Sequence, residues 1–294
     1  MTLLILLGAL IAERYLLDYQ QLRNPLWLEH WLAWQQSLPF GPRWRTGLPG
    51  LLGVLIPPLL LVAAGQWLLG DAMGGLAGAL FAGLVLLYSL GPLDLDSQVQ
   101  ELSAAVRAGE PTRVERAAMH LVDDIPPDME DPAYFRHLAE AILLQAQGRL
   151  FGVVIWFLLL GPVGALGYRL ASELYLLTLA QSRDSLETSA ATLLQWMDWL
   201  PARVVAALFA LAGSFEETVQ AWRHCDPEHY ADQGKALVLC AGNGALRMRC
   251  PPSVEELRCR AEPVLPGAAM GLVWRSLFLL IALLALATLS AWLA

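Results

Sequence analysis

Charged residues are scarce in this chain, and several common catalytic signatures are missing from it. Only 16% of its 294 residues are charged, whereas 56% are hydrophobic and the mean hydropathy is +0.49. The sequence has no G-x-x-x-x-G-K-[ST] phosphate loop, no H-E-x-x-H zinc motif and no G-x-S-x-G nucleophile elbow. We therefore expect no catalytic residue, no metal ligand and no cofactor from sequence motifs alone.

Long apolar runs take the place of such motifs. A bilayer core about 30 Å thick needs roughly 20 helical residues, and four runs meet that need: 47–69, 73–90, 151–179 and 272–294. The runs lack the alternation of a membrane barrel. We predict an all-α polytopic membrane protein with four transmembrane helices. Two shorter runs, 2–12 and 200–213, are candidate membrane segments, and no cleavage of 2–12 as a signal is expected.

Lysine and arginine concentrate in two segments between these runs, 93–150 and 214–271. Because cytoplasmic loops carry an excess of these residues, both segments are predicted to be helical cytoplasmic loops. The first has the pattern of a helical hairpin, with a stop at Gly109 and a capping box at Thr112 and Glu115. Asp94 and Asp96 are predicted to start a helix, with a Mg²⁺ site as the alternative. We predict one membrane domain over 1–294.

The net charge is −8, and one acidic run, 123–131, contributes much of it. An acidic chain repels nucleic acid and anionic lipid headgroups, so nucleic acid is not an expected partner. The apolar runs make the lipid bilayer the expected partner. Self-association is possible through Gly74, Gly78 and Ala82, which are small residues at helical spacing.

Four cysteines lie in the second predicted loop, and none form a C-x-x-C pair. They are Cys225, Cys240, Cys250 and Cys259. We expect free thiols in a reducing cytoplasm rather than a metal site with neighbouring histidines. If the loop faced the opposite side of the membrane, two disulfides would be the expected state instead.

Two charged residues, Arg169 and Glu173, lie within the apolar run 151–179. A charge in hydrocarbon is costly, so such residues face a protein interior or a wet cavity. Their spacing of four places both on one helix face, where they can neutralise each other. Pro57-Pro58 and Gly161-Pro162 also fall within apolar runs and predict bends there.

Two more polar groups adjoin the apolar runs. Glu13, Arg14 and His30 lie among tryptophans that suit a membrane interface. In the second group Pro201 is predicted to begin a helix, with Asp198 before its positive end and Arg203 in its first turn. Both groups are interpreted as anchoring belts or as parts of a pocket for an anionic amphiphile. The candidate set is Glu13, Arg14, His30, Arg169, Glu173, Asp198 and Arg203.

Five segments resemble the AmpE family of inner-membrane proteins associated with β-lactamase induction. They are AERYLLDYQQLRNPLWLEHWLAW, YSLGPLDLD, DPAYFRHLAEAILLQ, FGVVIWFLLLGPVGALGYRL and MDWLPARVVAALFALAG. The similar segments occur in the same order from the N-terminus to about residue 224. Beyond that point only the closing membrane helix agrees, and only in its general character. It implies a regulatory role in cell-wall recycling, a location in the bacterial inner membrane and a functional link to the cytosolic amidase AmpD.

The chain is also similar to the cobalamin-biosynthesis enzymes CobD and CbiB, in QELSAAVRAGEPTRVERAAMHLVDD and WLPARVVAAL. Those enzymes form an amide with ATP and Mg²⁺, and carry the acidic motif E-S-x-A-E-N-x-x-D-G before a G-V-V run. Here the corresponding stretch, LLQAQGRLFG, has no acid. Arg169 is likewise followed by LASELY instead of x-x-N-T-L-D. The resemblance therefore implies a CobD/CbiB-like fold over 1–294 without the synthase chemistry, and a degenerate amide synthase is the alternative.

Overall fold

The structure is a computed structural model that describes residues 2–15, 26–37, 47–70, 75–90, 94–122, 134–180, 184–225, 232–248 and 265–293. Within these ranges the regular elements are helices and no strand occurs, as predicted. The helices are α1 Thr2–Tyr15, α2 Leu26–Ser37, α3 Gly47–Gly70, α4 Leu76–Ser89, α5 Asp94–Ala108, α6 Pro111–Leu121, α7 Tyr134–Ala146, α8 Gly152–Leu160, α9 Pro162–Ala180, α10 Asp184–Ala212, α11 Phe215–Arg223, α12 Gln233–Ala245 and α13 Leu265–Leu293.

Three helical stretches in the described part of the chain are long and apolar enough to cross a membrane. They are Gly47–Gly70, Tyr134–Leu160 and Leu265–Ser290. Two of them coincide with predicted spans, 47–69 and 272–294. The predicted span 73–90 and the candidate 2–12 appear as the shorter apolar helices Leu76–Ser89 and Leu3–Ala12. Tyr134–Leu160 is the most buried of the three. In its most apolar stretch of 18 residues, 67% of the residues are buried, compared with 22% in Gly47–Gly70 and 28% in Leu265–Ser290.

The predicted single span over 151–179 is wrong. The helix ends at Leu160, and Gly161 takes a φ of +68° before Pro162 begins α9. A positive φ suits glycine, which has no Cβ to clash, and proline fits the first position of a helix because its missing N–H would be unbonded there. The long apolar helix lies earlier in the chain. It is the continuous helical stretch Tyr134–Leu160, which consists of α7, a π-helical turn at Gln147–Phe151 and α8.

One compact unit comprises Met1–Pro92 and Gly148–Asp198. In it α9 packs against α3, α4 and α8, and α4 also packs against α1. The core is built from leucine and valine side chains of α2, α3, α9 and the start of α10. This arrangement places α9, which carries both charges of the former 151–179 run, next to several other helices.

A second unit comprises Leu93–Gln147 and Trp199–Ala294. Here α7 packs against α13 and α12, α5 against α6 and α13, and α11 against α12. The predicted helix stop at Gly109 is confirmed by its φ of +67°, and the predicted helix start at Asp94 by α5. The capping box at Thr112 is wrong, because α6 begins at Pro111 with Glu110 as N-cap. The domain bounds 1–294, 93–150 and 214–271 stay predictions.

The expectation of free thiols is wrong for Cys225 and Cys240, which form a disulfide with Cα atoms 6.0 Å apart. Cys225 follows the end of α11 and Cys240 lies in the middle of α12. The two helices pack closely because Gly244 meets the α11 backbone, where an added Cβ would lie 2.7 Å from the Cα of Thr218. Sequence spacing gave no sign of this packing. Cys250 and Cys259 lie outside the described residues.

Candidate functional site

Arg169 and Glu173 form an ion pair on α9, as predicted from their spacing. Their side chains are only 18% and 17% exposed. A carboxylate and a guanidinium this enclosed are costly to leave unpaired, so each is the natural partner of the other. The pair is a local contact within one helix, and neither side chain is completely buried.

Next to Arg169, Tyr168 carries a second polar contact of α9. Its phenolic hydroxyl is fully buried and donates a 2.6 Å hydrogen bond to Oδ1 of Asp198, which is 3% exposed. Asp198 therefore lies in the protein interior. The prediction that it precedes a helix start is wrong, because α10 runs without a break from Asp184 to Ala212 and Pro201 is internal to it. The candidate segment 200–213 is accordingly the second part of α10.

Glycine allows Tyr168 to approach α8. A Cβ on Gly152 would lie 2.3 Å from Cζ and 2.5 Å from Oη of the tyrosine. Gly152 directly follows the π-helical turn Gln147–Phe151. π-Helical turns inside α-helices are rare and occur frequently at functional sites. This turn falls in the LLQAQGRLFG stretch, and no feature of the sequence predicted it.

Two tryptophans donate to backbone carbonyls that proline leaves without a helical partner. Pro58 lacks the N–H that would bond to the Val54 carbonyl, and Nε1 of Trp31 donates to that oxygen at 3.2 Å. Similarly, Pro201 lacks the N–H that would bond to the Met197 carbonyl, which accepts from Nε1 of Trp156 at 3.0 Å. Membrane helices tolerate proline where such donors are supplied. Each tryptophan thus satisfies a carbonyl of another helix, from α2 to α3 and from α8 to α10.

Arg203 lies in the second unit and is exposed. Its Nη1 donates to the Trp199 carbonyl at 2.9 Å, and its guanidinium stands 4.0 Å from the centroid of the Trp199 ring. A cation over a tryptophan face is stabilised by the ring quadrupole. Trp199 is itself 54% exposed. This exposed pair has the character of an interfacial anchor with guanidinium donors facing outward.

The remaining candidates are placed only in part. Glu13 and Arg14 lie on α1, but their side chains are outside the described set. His30 lies on α2 and is exposed. The structure therefore joins Arg169 with Glu173 and gives Asp198 a tyrosine partner beside Arg169. The full seven-residue pocket stays a prediction.

A polar contact in the second unit was missed. Glu140 on α7 accepts from Nε of Arg136 at 3.0 Å and from Nδ2 of Asn243 at 2.7 Å. The Arg136–Glu140 spacing of four was a usable signal, whereas Asn243 is 103 residues away and carried none. Among the described residues, no group of three or more His, Cys, Asp or Glu side chains could hold a metal ion.

Apolar helices of spanning length together with enclosed charges define a helical membrane protein. The chain belongs to the AmpE family, whose profile, described as "Regulatory signalling modulator protein AmpE", matches residues 1–290. No solved structure matches it.

Curated relatives carry two different names. "Protein AmpE" of Shigella flexneri is 26% identical over 248 residues, covering 82% of this chain and 78% of that protein. "Cobalamin biosynthesis protein CobD" of Chromobacterium violaceum is 26% identical over 209 residues, 70% of this chain and 65% of the relative, so the chain spans less than two thirds of it. The CobD of Stutzerimonas stutzeri (strain A1501) is 26% identical over 211 residues, 70% of this chain and 67% of that protein.

Proposed function

We propose that this chain is a regulatory protein of the bacterial inner membrane that responds to an anionic amphiphile and acts in cell-wall recycling and β-lactamase induction. Family membership supports the regulatory role, because the family is described as a signalling modulator. The enclosed Arg169–Glu173 pair is the observation that supports an anionic ligand, because its guanidinium could bind an anionic headgroup. A multi-pass topology and a functional link to the AmpD amidase belong to the same proposal.

The proposed response is an exchange of partners at Arg169. An anionic headgroup that reaches the guanidinium competes with Glu173 and leaves that carboxylate unpaired in a poorly solvated position. The ligand shifts the protein only as far as it binds one arrangement better than the other. Because α9 packs against α3, α4 and α8, we expect a change in the pair to be transmitted to those helices.

The exposed Arg203–Trp199 pair supports the amphiphilic character of the ligand independently. Tryptophan and arginine favour the headgroup region, where the ring is half solvated and the guanidinium meets phosphate. After its bond to the Trp199 carbonyl, Arg203 retains further N–H donors for a lipid or ligand headgroup. Arg203 is therefore assigned the role of holding an amphiphile at the membrane surface.

The experiment measures β-lactamase activity after exposure to a β-lactam. The host lacks its own AmpE-type gene and carries either the wild-type chain or an empty vector. The proposal expects induced activity to differ between the two strains while the uninduced level is unchanged. Equal induction in both strains, with the chain shown to be present in the membrane, would remove the regulatory proposal.

The second candidate is a degenerate amide synthase, and the 26% identity to two CobD proteins favours it. Such an enzyme would bind ATP with Mg²⁺, for which acidic side chains are needed. Titration of the detergent-purified chain with ATP and Mg²⁺ separates the candidates. Saturable, Mg²⁺-dependent binding would favour the synthase, whereas the regulatory proposal expects no binding.

A further inference from the structure

The disulfide between Cys225 and Cys240 bears on which side of the membrane its helices lie. A disulfide persists where the compartment is oxidising, as in the bacterial periplasm, and is reduced in the cytoplasm. The pair closes a separation of 15 residues between the end of α11 and the middle of α12. Both cysteines belong to the second unit, and both are only partly exposed.

Contacts other than the disulfide also fix α12 and its packing against α11. Asp232 caps α12 by accepting from the backbone N–H groups of Gly234 and Lys235 at 2.8 and 3.4 Å. At the other end of α12, an added Cβ on Gly244 would lie 2.8 Å from the Glu217 carbonyl, so the helices approach each other there. The Cα separation of 6.0 Å lies in the range that a disulfide requires. The packing of α11 on α12 is therefore compatible with the bond.

We propose that the hairpin formed by α11 and α12 lies on the periplasmic side of the membrane, where Cys225 and Cys240 are oxidised to a stable disulfide. This places 214–248 on the side opposite to the one predicted from lysine and arginine content. That content sets orientation weakly in long segments, whereas the redox state of a thiol pair is set directly by its compartment. The proposal does not depend on the ligand assigned to Arg169.

The oxidation is a thiol–disulfide exchange with a disulfide-bonded protein oxidant of the periplasm. One cysteine thiolate of the pair attacks the oxidant's disulfide and expels one of its sulfurs as a thiolate. The other cysteine of the pair then attacks the mixed disulfide and releases the second oxidant sulfur. The pair loses two protons and two electrons, and the oxidant is reduced to a dithiol.

The test uses the full-length chain with Cys250→Ser and Cys259→Ser, so that only the pair can be labelled. Growing cells are treated with the permeant thiol blocker N-ethylmaleimide, then lysed, reduced and labelled with a polyethylene-glycol maleimide. The proposal expects a gel shift of two labels that appears only after reduction. Complete blocking by N-ethylmaleimide without reduction, and hence no shift, would overturn it.

The side of the membrane is tested on spheroplasts of the same strain. A membrane-impermeant phosphine reductant is followed by an impermeant sulfonated maleimide, and the expected result is labelling of the pair in intact spheroplasts. Labelling only after detergent lysis would overturn the proposal. In a host without its periplasmic dithiol oxidase the pair is expected to be blocked as free thiols, and an unchanged disulfide there would also count against the proposal. The variant carrying Cys225→Ser and Cys240→Ser as well supplies the unlabelled blank.

Discussion

The hydroxyl of Tyr168 donates to Oδ1 of Asp198 across 30 residues of sequence, and both side chains are buried. This bond ties the middle of α9 to α10 within the first unit. A hydrogen bond to a charged acceptor contributes about 1.5–3 kcal/mol, and more is lost if the acceptor stays buried without a donor. The contact places the Asp198 carboxylate inside the protein. Its partner, Tyr168, directly precedes Arg169, the arginine proposed to respond to the ligand.

Tyr168→Phe is expected to lower the free energy of unfolding by about 1.5–3 kcal/mol, because Asp198 loses a buried donor. Tyr134→Phe is the matched control, since Tyr134 is also buried but its hydroxyl has no hydrogen-bond partner. That control should be neutral or slightly stabilising. Reversible denaturation of the purified chain in detergent measures both. Equal losses in the two variants would show that the Tyr168–Asp198 bond is not special.

Trp31→Phe is expected to destabilise the protein by about 1 kcal/mol, because the Val54 carbonyl loses its donor while most of the ring volume remains. Pro58→Ala restores a helical N–H for the same carbonyl. In the Pro58→Ala background the tryptophan substitution should therefore cost less, which a double-mutant cycle in detergent would measure. Trp67→Phe, at a position 82% exposed, serves as control and should have no such coupling. Additive costs would contradict the interpretation.

Gly152→Ala is expected to destabilise the first unit by about 1–3 kcal/mol, because the new methyl group overlaps the Tyr168 ring and forces it to move. Gly8→Ala is the control, since a Cβ there meets nothing within 4 Å. Alanine is favoured over glycine within a helix, so the control should be neutral or mildly stabilising. Thermal denaturation in detergent compares them. A neutral result for Gly152→Ala would mean that Tyr168 accommodates the methyl group.

Removal of the Cys225–Cys240 bond is expected to lower stability by about 3 kcal/mol, as for a loop of 15 residues in the chain-entropy account. Cys240→Ser and chemical reduction of the wild-type chain should give similar losses. Reduction should then have no further effect on Cys240→Ser. Denaturation with and without reductant checks this, and a wild-type chain insensitive to reductant would contradict it.

Local patterns predicted the contacts that local spacing can determine. Arg169 and Glu173 were paired from their separation of four, and Gly109 was placed at a helix end from its residue type. A bend at Gly161-Pro162 was predicted from the proline, but the end of one helix and the start of another there were not, because hydropathy is uniform across the run. The predicted helix start at Pro201 was wrong because Trp156, 41 residues before Met197, supplies the donor that an internal proline removes. Tyr168–Asp198 and Glu140–Asn243 depend on tertiary packing, to which sequence spacing is blind.

Exchanging the two charges of the Arg169–Glu173 pair distinguishes a structural role of the pair from a role in ligand binding. Arg169→Ala leaves Glu173 enclosed and unpaired, so it is expected to cost about 1–3 kcal/mol, whereas Arg107 is exposed on α5 and Arg107→Ala should cost little. The double variant Arg169→Glu with Glu173→Arg keeps an ion pair at the same spacing, and its order suits a helix. It should fold like the wild type but carry the guanidinium in a different place.

The proposed ligand-responsive role of Arg169 is tested most directly by β-lactamase induction by a β-lactam in a host that lacks its own AmpE-type gene. The host is complemented with the wild-type chain, Arg107→Ala, Arg169→Ala or the charge-swapped double variant, and the membrane level of each is measured alongside. We expect Arg107→Ala to induce like the wild type, while Arg169→Ala and the stable double variant do not. Wild-type induction by the double variant would contradict the proposed role, because the ion pair would then serve stability alone.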